Sequence, residues 1–144
     1  MAKQYTLGKN ERLKSRKLIQ QLFSKGKSFS IFPFKVYYLI TGDEDRSKQD
    51  RPPTRFNVQF GIGVSGKIFK KAFERNRIKR LAREAFRLQK EELKNAMARK
   101  SLQLYVFMIY TGKELPDFAI TKEKVGVILK KLVKIINESS SPGP

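Results

Sequence analysis

The stretch Phe56–Ser65, FNVQFGIGVS, alternates without interruption. In an extended chain Phe56, Val58, Phe60, Ile62 and Val64 fall on one side, and Asn57, Gln59, Gly61, Gly63 and Ser65 on the other. A strand of this kind is stable only inside a sheet whose apolar face is covered by another layer. Its second face is polar and, at the glycines, bare of side chains, so another chain can lie against that backbone. The fold must therefore supply both a core on one side of a sheet and a partly open surface on the other.

The remaining segments fit around such a sheet. Residues 1–14 are polar and basic and read as a loose arm. In SRKLIQQLFSKG, Leu18, Ile19, Leu22 and Phe23 make one apolar stripe. Ser15 is placed to cap the start, and Gly26 to take a left-handed position past the end. One or two short strands follow, including Phe34–Thr41, where Phe34, Val36, Tyr38 and Ile40 oppose Lys35, Tyr37 and Leu39. Residues 42–55 read as an exposed polar loop with prolines. SLQLYVFMIYT is apolar on both alternating sets, as a central strand would be. TKEKVGVILKKLVKIINE is an amphipathic helix with a weak cap at Thr121, and residues 139–144 read as a disordered tail. The expected fold is α+β: a single domain over residues 1–138, a two-layer α/β sandwich with about four strands in a mostly antiparallel sheet. It has three helices in the order αβββαβα.

The second helix-forming stretch along the chain, roughly Lys70–Met97, is unusual in its charge. Between Phe73 and Arg87 stand Arg75, Arg77, Lys79, Arg80, Arg83 and Arg87, against Glu74 and Glu84. Ile78, Leu81, Ala82, Ala85, Phe86 and Leu93 keep helical spacing and mark the buried face. Arg75, Lys79, Arg83 and Arg87 form a row four residues apart, with Arg77 and Arg80 beside it and Asn76 near its start. Like charges one turn apart repel by a few tenths of a kcal/mol per pair. Solvated helix faces usually mix signs, and this one barely does. Guanidinium groups offer paired donors in a plane that suits phosphate.

The whole chain carries the same bias, with 32 basic and 13 acidic residues in 144 and a net charge of +19. That points to a polyanionic partner, nucleic acid before an anionic membrane. There is no cysteine and no histidine, which excludes disulfides, thiolate metal sites, histidine bases and serine–histidine triads. Asp43, Glu44, Asp45 and Asp50 crowd one flexible loop, a poor place for a rigid two-metal site. No catalytic or metal-ligating residue is assigned on this chain. The start lacks the apolar segment of a signal peptide, and no apolar run reaches the ~20 residues that span a bilayer. A cytoplasmic protein without a membrane role or an obligate protein partner is expected.

A second surface is the polar sheet face with Lys35, Tyr37, Gln59 and Ser65, edged by Phe23. Aromatic rings beside basic side chains stack the bases of single strands. Phe23 and Tyr37 are equally readable as core residues, and the pattern alone leaves both readings open.

The blocks GIGVSGK and then ERNRIKRLAREAFR (Glu74–Arg87), with LFSKGKSF (Leu22–Phe29) upstream, resemble in residues, order and spacing the protein subunit of bacterial ribonuclease P. The resemblance covers roughly Leu13–Ile136. It implies a four-stranded sheet with a left-handed βαβ crossover through the basic helix. It also implies that a large catalytic RNA, with Mg²⁺ at the RNA–protein–substrate complex, removes the 5′ leader from precursor tRNA. On that resemblance Arg75, Asn76, Arg77, Lys79, Arg80 and Arg83 touch the catalytic RNA, and Phe23, Tyr37, Ser65 and Lys67 line a cleft for the single-stranded leader. The chain departs from the family pattern at Gly66, where a basic residue is usual, at Phe69, where a glycine is usual, and at Ile19, which replaces an aromatic. The link into the arginine helix is about one residue longer. The alternative is a ribosomal or other structural RNA-binding protein with no role in tRNA cleavage.

Overall fold

The structure, a computed structural model, describes residues 12–13, 15–42, 58–100 and 102–138. Most of the basic arm, nearly all of the 42–55 loop and the 139–144 tail lie outside the described residues. The described chain runs α1 (Arg16–Lys25), β1 (Lys27–Ile31), β2 (Phe34–Gly42), β3 (Val58–Val64), α2 (Ala72–Gln89), α3 (Glu91–Lys100), β4 (Leu102–Tyr110) and α4 (Phe118–Glu138).

The strands form one sheet in the order β1-β2-β4-β3. β2 pairs antiparallel with β1 and with β4, while β3 runs parallel to β4, so the chain crosses over through α2 and α3 between two neighbouring strands. β4 is bonded on both edges and covered on both faces, which accounts for its continuous apolar sequence. Phe34, Val36, Val58, Phe60, Leu104, Val106 and Met108 turn one face of the sheet to α2, α3 and α4. Ile78, Ala82, Ala85 and Phe86 are the buried side of α2, and the Phe86 ring stacks on Phe60 at 4.3 Å between centroids. Each such buried aromatic or aliphatic side chain contributes about 1.5–3 kcal/mol of apolar transfer. On the opposite face α1 lays Leu18 and Leu22 against Tyr105, with Leu13 beside them.

The class is the one expected from the sequence, but the described residues hold four helices. The long basic segment divides at Lys90, which is buried, with φ −78° and ψ −14°. The Gln89 side-chain amide donates to the carbonyls of Ala85 (3.0 Å) and Lys122 (3.1 Å), tying the end of α2 to α4. Glu91 and Glu92 then occupy the favourable first turn of α3. Leu93, Ala96 and Met97 are buried and keep the helical phase of Ile78 and Phe86, so periodicity runs straight through the break.

Two caps differ from expectation. Asp117, not Thr121, caps α4: its Oδ1 accepts from the Ile120 amide at 2.8 Å, and Thr121 Oγ1 donates to the Asp117 carbonyl. Gly26 does not adopt a left-handed conformation; its φ is −77°. A glycine is needed there because a Cβ would stand 2.6 Å from Leu22 O and 2.7 Å from Tyr38 O, where the end of α1 meets β2. Ser15 caps α1 as expected, accepting from the Leu18 amide at 3.3 Å. Among the described residues no helix is long and apolar enough to cross a membrane.

Candidate nucleic-acid interface

On α2, residues four apart advance by about 40° around the axis at each step. The row from Arg75 to Arg87 therefore winds across the helix instead of running straight along it. Arg75, Lys79, Arg83 and Arg87 are all half-buried, and Asn76, Arg77 and Arg80 are exposed; of the row, Arg75 has the helical position nearest the buried face. Arg75 is not turned wholly to solvent. Its Nη1 donates to the carbonyls of Phe69 (2.7 Å) and Lys70 (2.9 Å), in the segment leading into the helix.

The other side chains except Arg77, which stands on the exposed surface outside it, border a groove of about 580 Å³ lined by Arg12, Asn76, Lys79, Arg80, Arg83, Glu84 and Arg87. Burial lowers the pKa of Arg83, and the nearby positive charge of Arg12 lowers it further. Arg87 pairs with Glu84 one turn back. Arg12 belongs to the segment read only as a loose arm. It reaches the groove because its backbone bridges to Phe60 on the outer edge of β3, and the next amide, Leu13 N–H, donates to Phe60 O at 2.8 Å. A pairing between positions so far apart leaves no local signal.

The second surface is the face of the sheet that carries α1. Across the strands, Lys35 faces Ile109 and Gly63, Tyr37 faces Phe107 and Gly61, and Leu39 faces Tyr105 and Gln59. Phe23, 47% exposed, stands edge-on to Tyr37 at 4.8 Å and to Phe107 at 5.8 Å. Lys35 Nζ lies 5.4 Å from the centre of the Tyr37 ring. The two aromatics differ in burial. Tyr37 packs against the Leu18/Leu22 cluster, while Phe23 offers an open ring.

The bare strip expected over β3 is not open. A Cβ on Gly61 would lie 2.7 Å from Phe107 Cδ1 and 3.0 Å from Leu13 O, and one on Gly63 would lie 3.1 Å from Phe107 Cζ. The ring of Phe107 fills the room that the glycines leave. Nothing in the sequence singles out Phe107, because every residue of β4 except Gln103 is apolar or aromatic; only the pairing with Tyr37 and Gly61 distinguishes it.

The structure thus gathers Phe23, Lys35 and Tyr37, with Phe107 added. Gln59 sits one register row beyond Tyr37, beside Tyr105. Ser65 and Lys67 follow the opposite end of β3, where Ser65 Oγ accepts from the Lys67 amide at 3.1 Å and Phe69 N–H donates to Ser65 O at 3.0 Å. Phe69 buries its ring against Tyr110, 6.0 Å away, while Gly66 has open space where a Cβ would be.

A family model described as Ribonuclease P matches residues 7–133. The chain is similar to the "Ribonuclease P protein component" of Porphyromonas gingivalis, 32% identical over 131 residues, spanning 91% of this chain and 87% of that protein. It is also 32% identical to the component of the same description from Chlorobium phaeobacteroides over 134 residues, 88% of each chain. Among solved structures, the RNase P protein from Thermotoga maritima superposes with a TM-score of 0.61 at 28% identity, covering 84% of this chain and 96% of that one. The Staphylococcus aureus RNase P protein, 23% identical, shares the fold with the same TM-score, over 84% and 94% of the two chains.

Proposed function

Because this chain belongs to the ribonuclease P protein family, we propose that its two basic surfaces divide the RNA between them, α2 taking the catalytic RNA and the sheet face the precursor-tRNA leader. The chain is the protein component of an endoribonuclease that matures tRNA, and it works with the ribonuclease P RNA subunit, which carries the chemistry. The alternative of a structural RNA-binding protein without a role in cleavage falls with that membership.

In this reading the groove beside α2 holds phosphates of the RNA subunit. Asn76, Lys79, Arg80, Arg83 and Arg87 supply charge and donors, Arg12 adds a guanidinium from across the groove, and Arg77 adds its charge from the exposed helix surface beside it. RNA phosphates relieve the like-charge crowding that the free helix carries. The leader lies along Phe23, Lys35 and Tyr37 toward Ser65 and Lys67, with Gln59 at the far end. Ring stacking is available to any base, so the leader is held with little regard to sequence. Mg²⁺ belongs with the RNA and substrate phosphates, whose oxygens suit a hard cation. We place the protein in the cytoplasm with its RNA.

The observation that carries the leader assignment is the exposed Phe23 ring set edge-on to Tyr37 beside the ammonium of Lys35. Its test compares holoenzyme affinity for precursor tRNA and for mature tRNA. Tyr37→Ala lowers the first by about tenfold, the order of one lost stacking contact, and leaves the second unchanged. Equal losses for both would assign these rings to the fold or to the RNA subunit.

A further inference from the structure

The two surfaces are joined by a short segment, residues 65–71, between the end of β3 and the start of α2. Its first half carries Ser65 and Lys67, assigned above to the leader. Its second half runs into the helix assigned to the RNA subunit. The segment is pinned in three ways. Phe69 buries its ring, 5% exposed, beside Tyr110. The Lys67 and Phe69 amides fold back on Ser65. The guanidinium of Arg75 reaches back from the helix and donates to two successive carbonyls, Phe69 O and Lys70 O.

That third tie is not a by-product of helix formation. α2 starts without a side-chain cap, its N-cap position being Lys71. A positive charge in the first turns of a helix is disfavoured by the helix dipole. Arg75 offsets this by giving two charge-assisted hydrogen bonds to carbonyls that precede the helix and take no part in its own ladder. Arg77 and Arg80 are exposed, with no inward hydrogen bond of this kind among those found in the described residues, while Arg87 is held by Glu84. Within one run of basic residues the structure thus separates two kinds of group: those turned outward, and one turned back on the segment before it.

We infer that Arg75 is a positioning residue: it latches residues 65–71 to α2, and so fixes Lys67 and Ser65 of the leader surface relative to the helix that docks on the catalytic RNA. The latch rests on the leader reading given above for its effect on substrate, but not for its existence. Nη1 is committed to the two carbonyls, so Arg75 contributes little to phosphate binding as a direct ligand.

Three measurements on the full chain and its reconstituted holoenzyme test this, using Arg75→Ala, Arg75→Lys and Arg80→Ala. Amide hydrogen exchange of the free protein reads the latch itself. Arg75→Ala speeds exchange of the Lys67 and Phe69 amides by about tenfold or more, as loss of one charge-assisted contact allows, Arg75→Lys restores part of the protection, and Arg80→Ala changes nothing there. Unchanged exchange in Arg75→Ala overturns the proposal. The salt dependence of RNA-subunit binding separates a latch from a phosphate ligand. Arg80→Ala lowers the slope of log K against log[salt] by about 0.7–0.9, and Arg75→Ala leaves it near the wild-type value; an equal fall in both makes Arg75 a phosphate ligand and overturns the proposal. Finally, Arg75→Ala reduces the preference of the holoenzyme for precursor over mature tRNA, as Tyr37→Ala does. Loss of that preference in Tyr37→Ala alone would overturn the link to the leader. No effect of Tyr37→Ala would instead sink the leader reading, with the exchange result still deciding the latch.

Discussion

The ring of Phe107 lies across Gly61, so close that a Cβ on the glycine would stand 2.7 Å from Phe107 Cδ1. The same ring is paired with Tyr37 on the neighbouring strand and meets Phe23 edge-on from α1. A residue without a side chain on β3 thereby sets the height of the aromatic surface built from β2, β4 and α1.

Gly61→Ala is expected to destabilise the protein by about 1–3 kcal/mol, the range for overpacking a filled site. Phe107 must move, and the Leu13 carbonyl at 3.0 Å blocks the other direction. Gly66 is the control. Its Cβ would meet nothing within 4 Å, so Gly66→Lys changes stability by no more than about 0.5 kcal/mol and adds a cation next to Lys67. Urea unfolding of the two variants decides this; equal destabilisation would mean that the packing over Gly61 is not what it is described to be.

The two sides of α2 separate in the same assay. Ile78→Ala is expected to cost about 2–5 kcal/mol and Phe86→Ala about 3–5 kcal/mol, since both are fully buried and Phe86 stacks on Phe60. Arg77→Ala and Arg80→Ala leave the unfolding midpoint nearly unchanged and weaken RNA-subunit binding, each by roughly 1.5–3 kcal/mol for a lost charge-assisted contact. Arginine variants that unfold while the apolar ones do not would mean that the helix faces are reversed.

Charge should dominate the affinity. With about six phosphates neutralised, log K for RNA-subunit binding plotted against log[salt] has a slope of about −4 to −5. A slope near zero, read from filter binding over a range of salt, would remove electrostatics as the main source of affinity.

Alkaline pH gives an independent check on the core. The Tyr110 hydroxyl donates to the Glu114 carbonyl at 2.7 Å, and its pKa is raised by burial and then by the charge of Glu114. The folded state therefore holds this proton more tightly than the unfolded state. The contribution is complete below the ordinary tyrosine value of 10.0 and is lost as pH rises through it and on toward the raised value. Wild type exceeds Tyr110→Phe in stability by about 1 kcal/mol at neutral pH, and the gap narrows above pH ~10. A gap that stays constant to strongly alkaline pH would contradict the assignment.

Much of this fold could be read along the chain, because the features that reveal it are local. Phe60, Ile62 and Val58 alternate with polar partners; Ile78, Ala82, Ala85 and Phe86 repeat at helical spacing; and the arginines stand on the remaining arc. What escaped reading depends on contacts between distant segments. Phe107 covers Gly61 through sheet pairing, Arg12 joins the groove through a bridge to Phe60, and Gln89 ends α2 by reaching α4. Arg75 turns back on the segment before the helix for a geometric reason: a row at four-residue spacing drifts about 40° per step, and its first member falls beside the buried face. Gly26 was rightly marked as the end of α1 but for the wrong conformation, since crowding by Leu22 O and Tyr38 O, not a left-handed turn, requires the glycine there.

The most direct test of the whole account is reconstituted cleavage of precursor tRNA with Mg²⁺ at physiological salt. Rigorously RNA-free protein should give no product, and catalytic RNA with the protein should release the 5′ leader faster than catalytic RNA alone. Mg²⁺-dependent cleavage by the RNA-free protein, or no gain in rate when the protein joins the RNA, would contradict it.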